Sequence, residues 1–104
     1  IKTKRIIRES LDHDSFSLNW LRKEVGISKF HLLRIFKEEN RQVSPVQYRN
    51  LLRIENSAKA LARNKQDKII DIAAANGFKD ISAFNRLFLK FKGKTPRAYR
   101  QSVE

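Results

Sequence analysis

The 104-residue chain has no cysteine and no methionine, only three glycines and two prolines, and no long apolar run. Each shortage excludes something. Without cysteine there is no disulfide framework, no thiolate metal site and no cysteine nucleophile. No apolar stretch approaches the roughly 18 residues that a membrane-spanning helix needs, and the opening IKTKRIIRES lacks the apolar core of a signal peptide. The chain is therefore expected to be soluble and cytoplasmic, with no membrane partner. Because it begins at Ile1 and holds no methionine, it is also expected to be a fragment of a longer product. With so few breakers, and with apolar residues recurring at helical rather than alternating spacing, the expected fold class is all-α.

Acidic residues are scarce as well. Against 11 Asp and Glu stand 23 Lys and Arg, a formal net charge of +12. That exceeds the roughly 2 to 8 charges that keep a small domain soluble, so a polyanionic partner is expected. Catalysis has little to work with. His13 and His31 are the only histidines, and no thiol, glycine-rich phosphate loop or metal-ligand spacing accompanies them. Asp12, His13 and Asp14 read as a solvated helix end rather than a metal site. No enzyme activity, metal or cofactor is expected.

What is present is helical pattern. Ser44-Pro45 and Thr95-Pro96 are helix starts, since the hydroxyl caps free backbone N–H groups and proline at the first helical position loses no bond. Ser44 with Gln47 has capping-box spacing. Helices are predicted over about 3–13, 18–24, 28–39, 44–63, 68–75, 80–92 and 96–101. A weak internal repeat organises them. Gly26 and Gly77 stand 51 positions apart, and at that offset Leu18 matches Ile69, Leu21 matches Ile72 and Tyr48-Arg49 matches Tyr99-Arg100. After the glycines the register slips by one, so that Arg34 and Phe36 align with Arg86 and Phe88. The expected organisation is one domain, 1–104, made of a first subdomain at 1–43, a linker helix at 44–63 and a second subdomain at 64–104.

Each copy reads as a short helix, a turn with glycine and a second helix, which is the helix-turn-helix layout. On the second helix of each copy, residues three and four apart share a face. Leu32, Ile35 and Phe36 form one core face, and Phe84, Leu87, Phe88 and Phe91 the other. Opposite them lie Phe30, Leu33, Arg34 and Lys37, and in the second copy Ser82, Asn85, Arg86 and Leu89. Such a face suits a major groove, where the planar fork of arginine bonds O6 and N7 of guanine together. Arg34 and Arg86 are assigned to base contact, with phosphate contact as the competing role. Asn85 fits adenine or phosphate equally. Phe30 opposite a core face needs cover: either a neighbouring helix or, with Leu33, thymine methyl groups. The linker helix, about 20 residues at 1.5 Å each, spans roughly 30 Å, close to the 34–36 Å or so between successive turns of one groove. Two reading helices in adjacent major grooves are expected.

These residues resemble the AraC/XylS family of bacterial transcription regulators over essentially the whole chain. The most specific stretch is IIDIAAANGFKDISAFNRLFLKFKGKTPRAYR, in which Ile69, Ile72, Ala73, Gly77, Phe78, Phe84, Arg86, Phe88, Gly93, Thr95, Pro96, Tyr99 and Arg100 fit the family pattern. Leu89 stands where lysine is usual, and Arg22 where alanine is common. The resemblance implies a seven-helix domain with two helix-turn-helix units joined by a long helix. By position it implies base reading by Phe30, Leu33 and Arg34, and by Ile81, Ser82, Asn85 and Arg86. Lys29, Arg97 and Arg100 correspond to phosphate contacts, and Lys37 on the outward face joins them. Double-stranded DNA is the implied partner, together with RNA polymerase and a sensing or dimerisation domain outside this chain. The competing readings are a DNA-binding architectural protein without sequence preference, which would share the charge, and a helical protein-interaction module.

Overall fold

A computed structural model describes residues 2–13 and 15–103. Among the described residues seven helices follow one another: α1 (Lys2–Glu9), α2 (Leu18–Val25), α3 (Lys29–Glu39), α4 (Pro45–Arg63), α5 (Ile69–Ala75), α6 (Ile81–Lys92) and α7 (Pro96–Ser102). No strand occurs among the described residues. The all-α class and the helix count match the sequence expectation.

Most helices begin where a short polar side chain satisfies a free N–H group. The Ser17 hydroxyl accepts from Trp20 N at 3.0 Å, and the Ser28 hydroxyl accepts from His31 N at 3.2 Å. The capping box at α4 is complete: Gln47 N donates to Ser44 Oγ at 3.1 Å, and Ser44 N donates to Gln47 Oε1 at 2.9 Å. Thr95 caps α7 at Ala98 N, and Pro96 takes the first turn. Helix α1 departs from expectation, ending at Glu9 instead of near residue 13. The Ser10 hydroxyl donates to Ile6 O at 2.6 Å, while Ser10 N and His13 N bond carbonyls three residues back. These tighter bonds replace the helical ladder. Asp12 and His13 therefore lie beyond the helix, with the His13 ring tilted against that of Trp20 at 4.5 Å between centroids. Asp14 lies outside the described residues.

The chain divides into two compact units, Ile1–Asn50 and Leu51–Glu104, and the division falls inside α4. In the first unit Ile7, Leu21, Leu32 and Phe36 are buried. The second is built on Ile54, Ala58 and Leu61 of α4, Ile72 and Ala73 of α5, and Phe84 and Phe88 of α6. Each fully buried Leu, Ile or Phe among them stabilises its unit by about 1.5–3 kcal/mol. That burial fixes the faces of α3 and α6, and so decides which residues remain outside.

Candidate nucleic-acid interface

In the first unit, α2 ends in a left-handed residue, Gly26 at φ +86, whose N–H returns to Arg22 O at 2.8 Å. The chain then turns through Ile27 and re-enters a helix at Ser28. Leu32 and Phe36 anchor α3 inward, at 2% and 4% exposure. Lys29, His31 and Arg34 are exposed, and Phe30 is 83% exposed. Leu33 and Lys37 are only half-buried.

The second unit repeats the arrangement with different local chemistry. Gly77 is also left-handed, at φ +90, but it is crowded where Gly26 is open: a Cβ there would lie 2.6 Å from the Arg53 guanidinium carbon. Arg53 Nη1 donates to Gly77 O at 3.1 Å, and the guanidinium lies 6.0 Å from the Phe78 ring centroid. Asp80 caps α6 by accepting from Ser82 N at 3.0 Å. Phe84 and Phe88 are fully buried, while Ser82, Asn85 and Arg86 are exposed and Leu89 is half-exposed. Ile81 is half-buried and packs against the core cluster. Arg97, on α7, is exposed.

Arg34 and Arg86 therefore occupy matching outward places, one in each unit. Among the described residues neither guanidinium takes part in a hydrogen bond or an ion pair. Arginines with no work inside the fold are available to an external partner. Arg100, also expected at a phosphate, is half-buried and bonds within its own unit. Its Nε donates to Leu61 O at 3.3 Å, and its Nη2 donates to Asn64 O at 3.1 Å and Asp67 O at 2.8 Å. The guanidinium thus holds the end of α4 and the loop into α5. Arg49 does the same in the first unit, donating from Nη2 to Leu11 O at 3.2 Å and His13 O at 3.0 Å, with its guanidinium 4.3 Å from the Phe16 ring centroid.

Each clamp arginine follows a tyrosine that meets the second helix of its unit's pair edge-on: Tyr48 on Phe36 of α3 at 5.7 Å, Tyr99 on Phe88 of α6 at 5.4 Å. Sequence reasoning registered the paired Tyr-Arg steps but not their use. The repeat was the available signal, since a pair recurring with the core aromatics belongs to the packing. One further charge is used internally, where Lys92 Nζ meets Glu55 Oε1 at 3.1 Å. Among the described residues no group of three potential ligands could hold a metal ion, and no helix is long and apolar enough to cross a membrane.

A family model described as a helix-turn-helix domain matches residues 21–102. The chain is 38% identical over 88 residues to an uncharacterized HTH-type transcriptional regulator of Staphylococcus aureus strain MSSA476, covering 85% of this chain but only 12% of that protein. To a probable transcription factor of Proteus vulgaris it is 31% identical over 90 residues, 86% of this chain and 72% of the relative. The fold matches the C-terminal domain of the two-component response regulator yesN from Fusobacterium nucleatum, with a TM-score of 0.82, 28% identity, and coverage of 95% of this chain and 94% of that one. This chain belongs to the AraC-type helix-turn-helix family of DNA-binding transcription regulators.

Proposed function

We propose that the chain binds double-stranded DNA at specific sites, with α3 reading one major groove and α6 the next. The observation that carries this reading is the pair Arg34 and Arg86, exposed at matching places and bonded to nothing among the described residues. A guanidinium at the floor of a major groove bonds guanine O6 and N7 together, and each such pair discriminates by about 1–3 kcal/mol. The length of α4 supports the two-groove reading, since 19 residues at 1.5 Å extend about 28 Å, near the roughly 34–36 Å repeat of the groove. Asn85 and Ser82, with Ile81 beside them, read in the second unit; Phe30 and Leu33 read thymine methyl groups in the first. Lys29, Lys37 and Arg97 hold phosphates. Regulation is assigned as activation through RNA polymerase, in the cytoplasm, with sensing or dimerisation carried by a part of the protein outside this chain.

Selection from a random duplex library tests the reading. The expected product is a motif of two blocks about one helical turn apart. Arg86→Ala relaxes one block and Arg34→Ala the other, each by about 1–3 kcal/mol at its position. Recovery of no motif would sink sequence-specific recognition in favour of binding driven by charge alone.

A further inference from the structure

Asn76 alone among the asparagines of the sequence precedes glycine. Such a step is chemically labile, because glycine has no side chain to shield its backbone nitrogen from the neighbouring carboxamide. The pair lies in the turn that joins α5 to α6, and there both reacting groups are tied up. Asn76 Nδ2 donates to Ile72 O at 2.9 Å. Gly77 N donates to Ala74 O at 3.1 Å, and Phe78 N donates to Ala73 O at 3.0 Å. Arg53 holds the turn shut, since its Nη1 donates to Gly77 O at 3.1 Å and its guanidinium fills the space that a Cβ on Gly77 would take.

We propose that Asn76 is a deamidation site gated by the Arg53 clamp, and that its conversion disables α6 as a reading helix. Gly77 N loses its proton to solvent base and forms a bond to Asn76 Cγ. The Cγ–Nδ2 bond then breaks, and the departing nitrogen takes a proton from water and leaves as ammonia. Water adds to either carbonyl of the resulting succinimide ring, which opens to aspartate or to isoaspartate. No co-reactant other than water is consumed. The carboxylate cannot donate to Ile72 O, and isoaspartate adds a methylene to the main chain just before α6. Both loosen the turn that positions the helix. Gating follows from the bonds: attack requires the Gly77 N–H to leave Ala74 O, which a local opening of the turn provides without global unfolding. The rate depends on the turn alone, whereas the consequence rests on the DNA-binding reading.

Peptide mass mapping during prolonged incubation follows the amide-to-acid mass change at Asn76. The change is expected to be slow in the folded chain and fast in urea. Arg53→Ala is expected to accelerate it in the folded chain by about tenfold or more, as a charge-assisted bond is lost from the closed turn. Arg100→Ala, which weakens another part of the same unit, controls for general destabilisation and should leave the rate nearly as it was. Equal rates in folded and unfolded chain, no acceleration in Arg53→Ala, or equal acceleration in Arg100→Ala would each overturn the gate. The incubated chain is then put through duplex selection, where it is expected to lose the block read by α6 and keep the one read by α3. Asn76→Gln retains an amide but would have to close a six-membered ring, so it should keep both blocks after the same treatment. Full modification with both blocks retained refutes the consequence. Absence of any motif with fresh chain defeats the DNA-binding reading and the consequence with it, while the mass-mapping rates still decide the gate.

Discussion

Gly26 and Gly77 occupy matching turns and share a left-handed backbone, yet their surroundings differ. An added Cβ at Gly26 meets nothing within 4 Å, whereas at Gly77 it collides with the Arg53 guanidinium. Gly26→Ala is therefore expected to cost about 1–2 kcal/mol, the penalty for a side chain in the left-handed region. Gly77→Ala carries that penalty and also displaces Arg53 from the Gly77 carbonyl, a charge-assisted bond of about 1.5–3 kcal/mol. Urea unfolding measures both, and the double variant Arg53→Ala, Gly77→Ala isolates the collision. Once Arg53 is gone, the alanine at residue 77 should cost no more than the one at residue 26. Equal costs for the two single variants would deny the clamp any part in holding the turn. That both positions are turns is legible in the sequence, because the need for positive φ is local. The pairing of Gly77 with a residue 24 positions earlier is not, since it is created by tertiary packing.

The start of α5 differs from the other capped starts. Lys68 stands at its N-cap with extended backbone but no side-chain hydrogen bond to the free N–H groups. Serine in that place supplies the missing acceptor. Lys68→Ser is expected to raise stability by about 1 kcal/mol, read as a higher urea midpoint with an unchanged m-value. No gain would mean that solvent already satisfies those groups as well as a hydroxyl does. The same logic explains which helix ends could be foreseen. Ser44 with Gln47, and Thr95 with Pro96, announce their helices because cap and capped group lie within three residues of each other. The end of α1 could not be foreseen in this way. Ser10 chooses between continuing the ladder and bonding back to Ile6 O, and the apolar pattern carries no information about that choice. The inward faces of α3 and α6 were legible from periodicity, and Leu32, Phe36, Phe84 and Phe88 are the residues most deeply buried there.

A net charge of +12 does not say which cations serve the partner and which serve the fold. The structure divides them by what they touch. Arg49 and Arg100 donate to backbone carbonyls far away in sequence, and Lys92 meets a carboxylate. Lys29, Arg34, Arg86 and Arg97 are exposed. Two measurements on the same variants should separate the groups. Lys29→Ala is expected to leave the melting temperature nearly unchanged and to lower the slope of log affinity against log salt by about 0.9, as one phosphate contact is lost. Arg100→Ala is expected to do the reverse. Losing a fork that holds three carbonyls costs on the order of 2 kcal/mol, enough to lower the melting temperature of a chain this size by several degrees, while the salt slope of the folded fraction stays as it was. Arg100→Lys should rescue little, because a single ammonium does not reproduce the planar fork that spans Leu61, Asn64 and Asp67. If Arg100→Ala instead melts normally and flattens the salt slope, the arginine belongs to the phosphate surface after all. The internal repeat would then have misled about its partner Arg49 as well, and the Tyr-Arg step would have to be counted with the DNA face rather than with the packing.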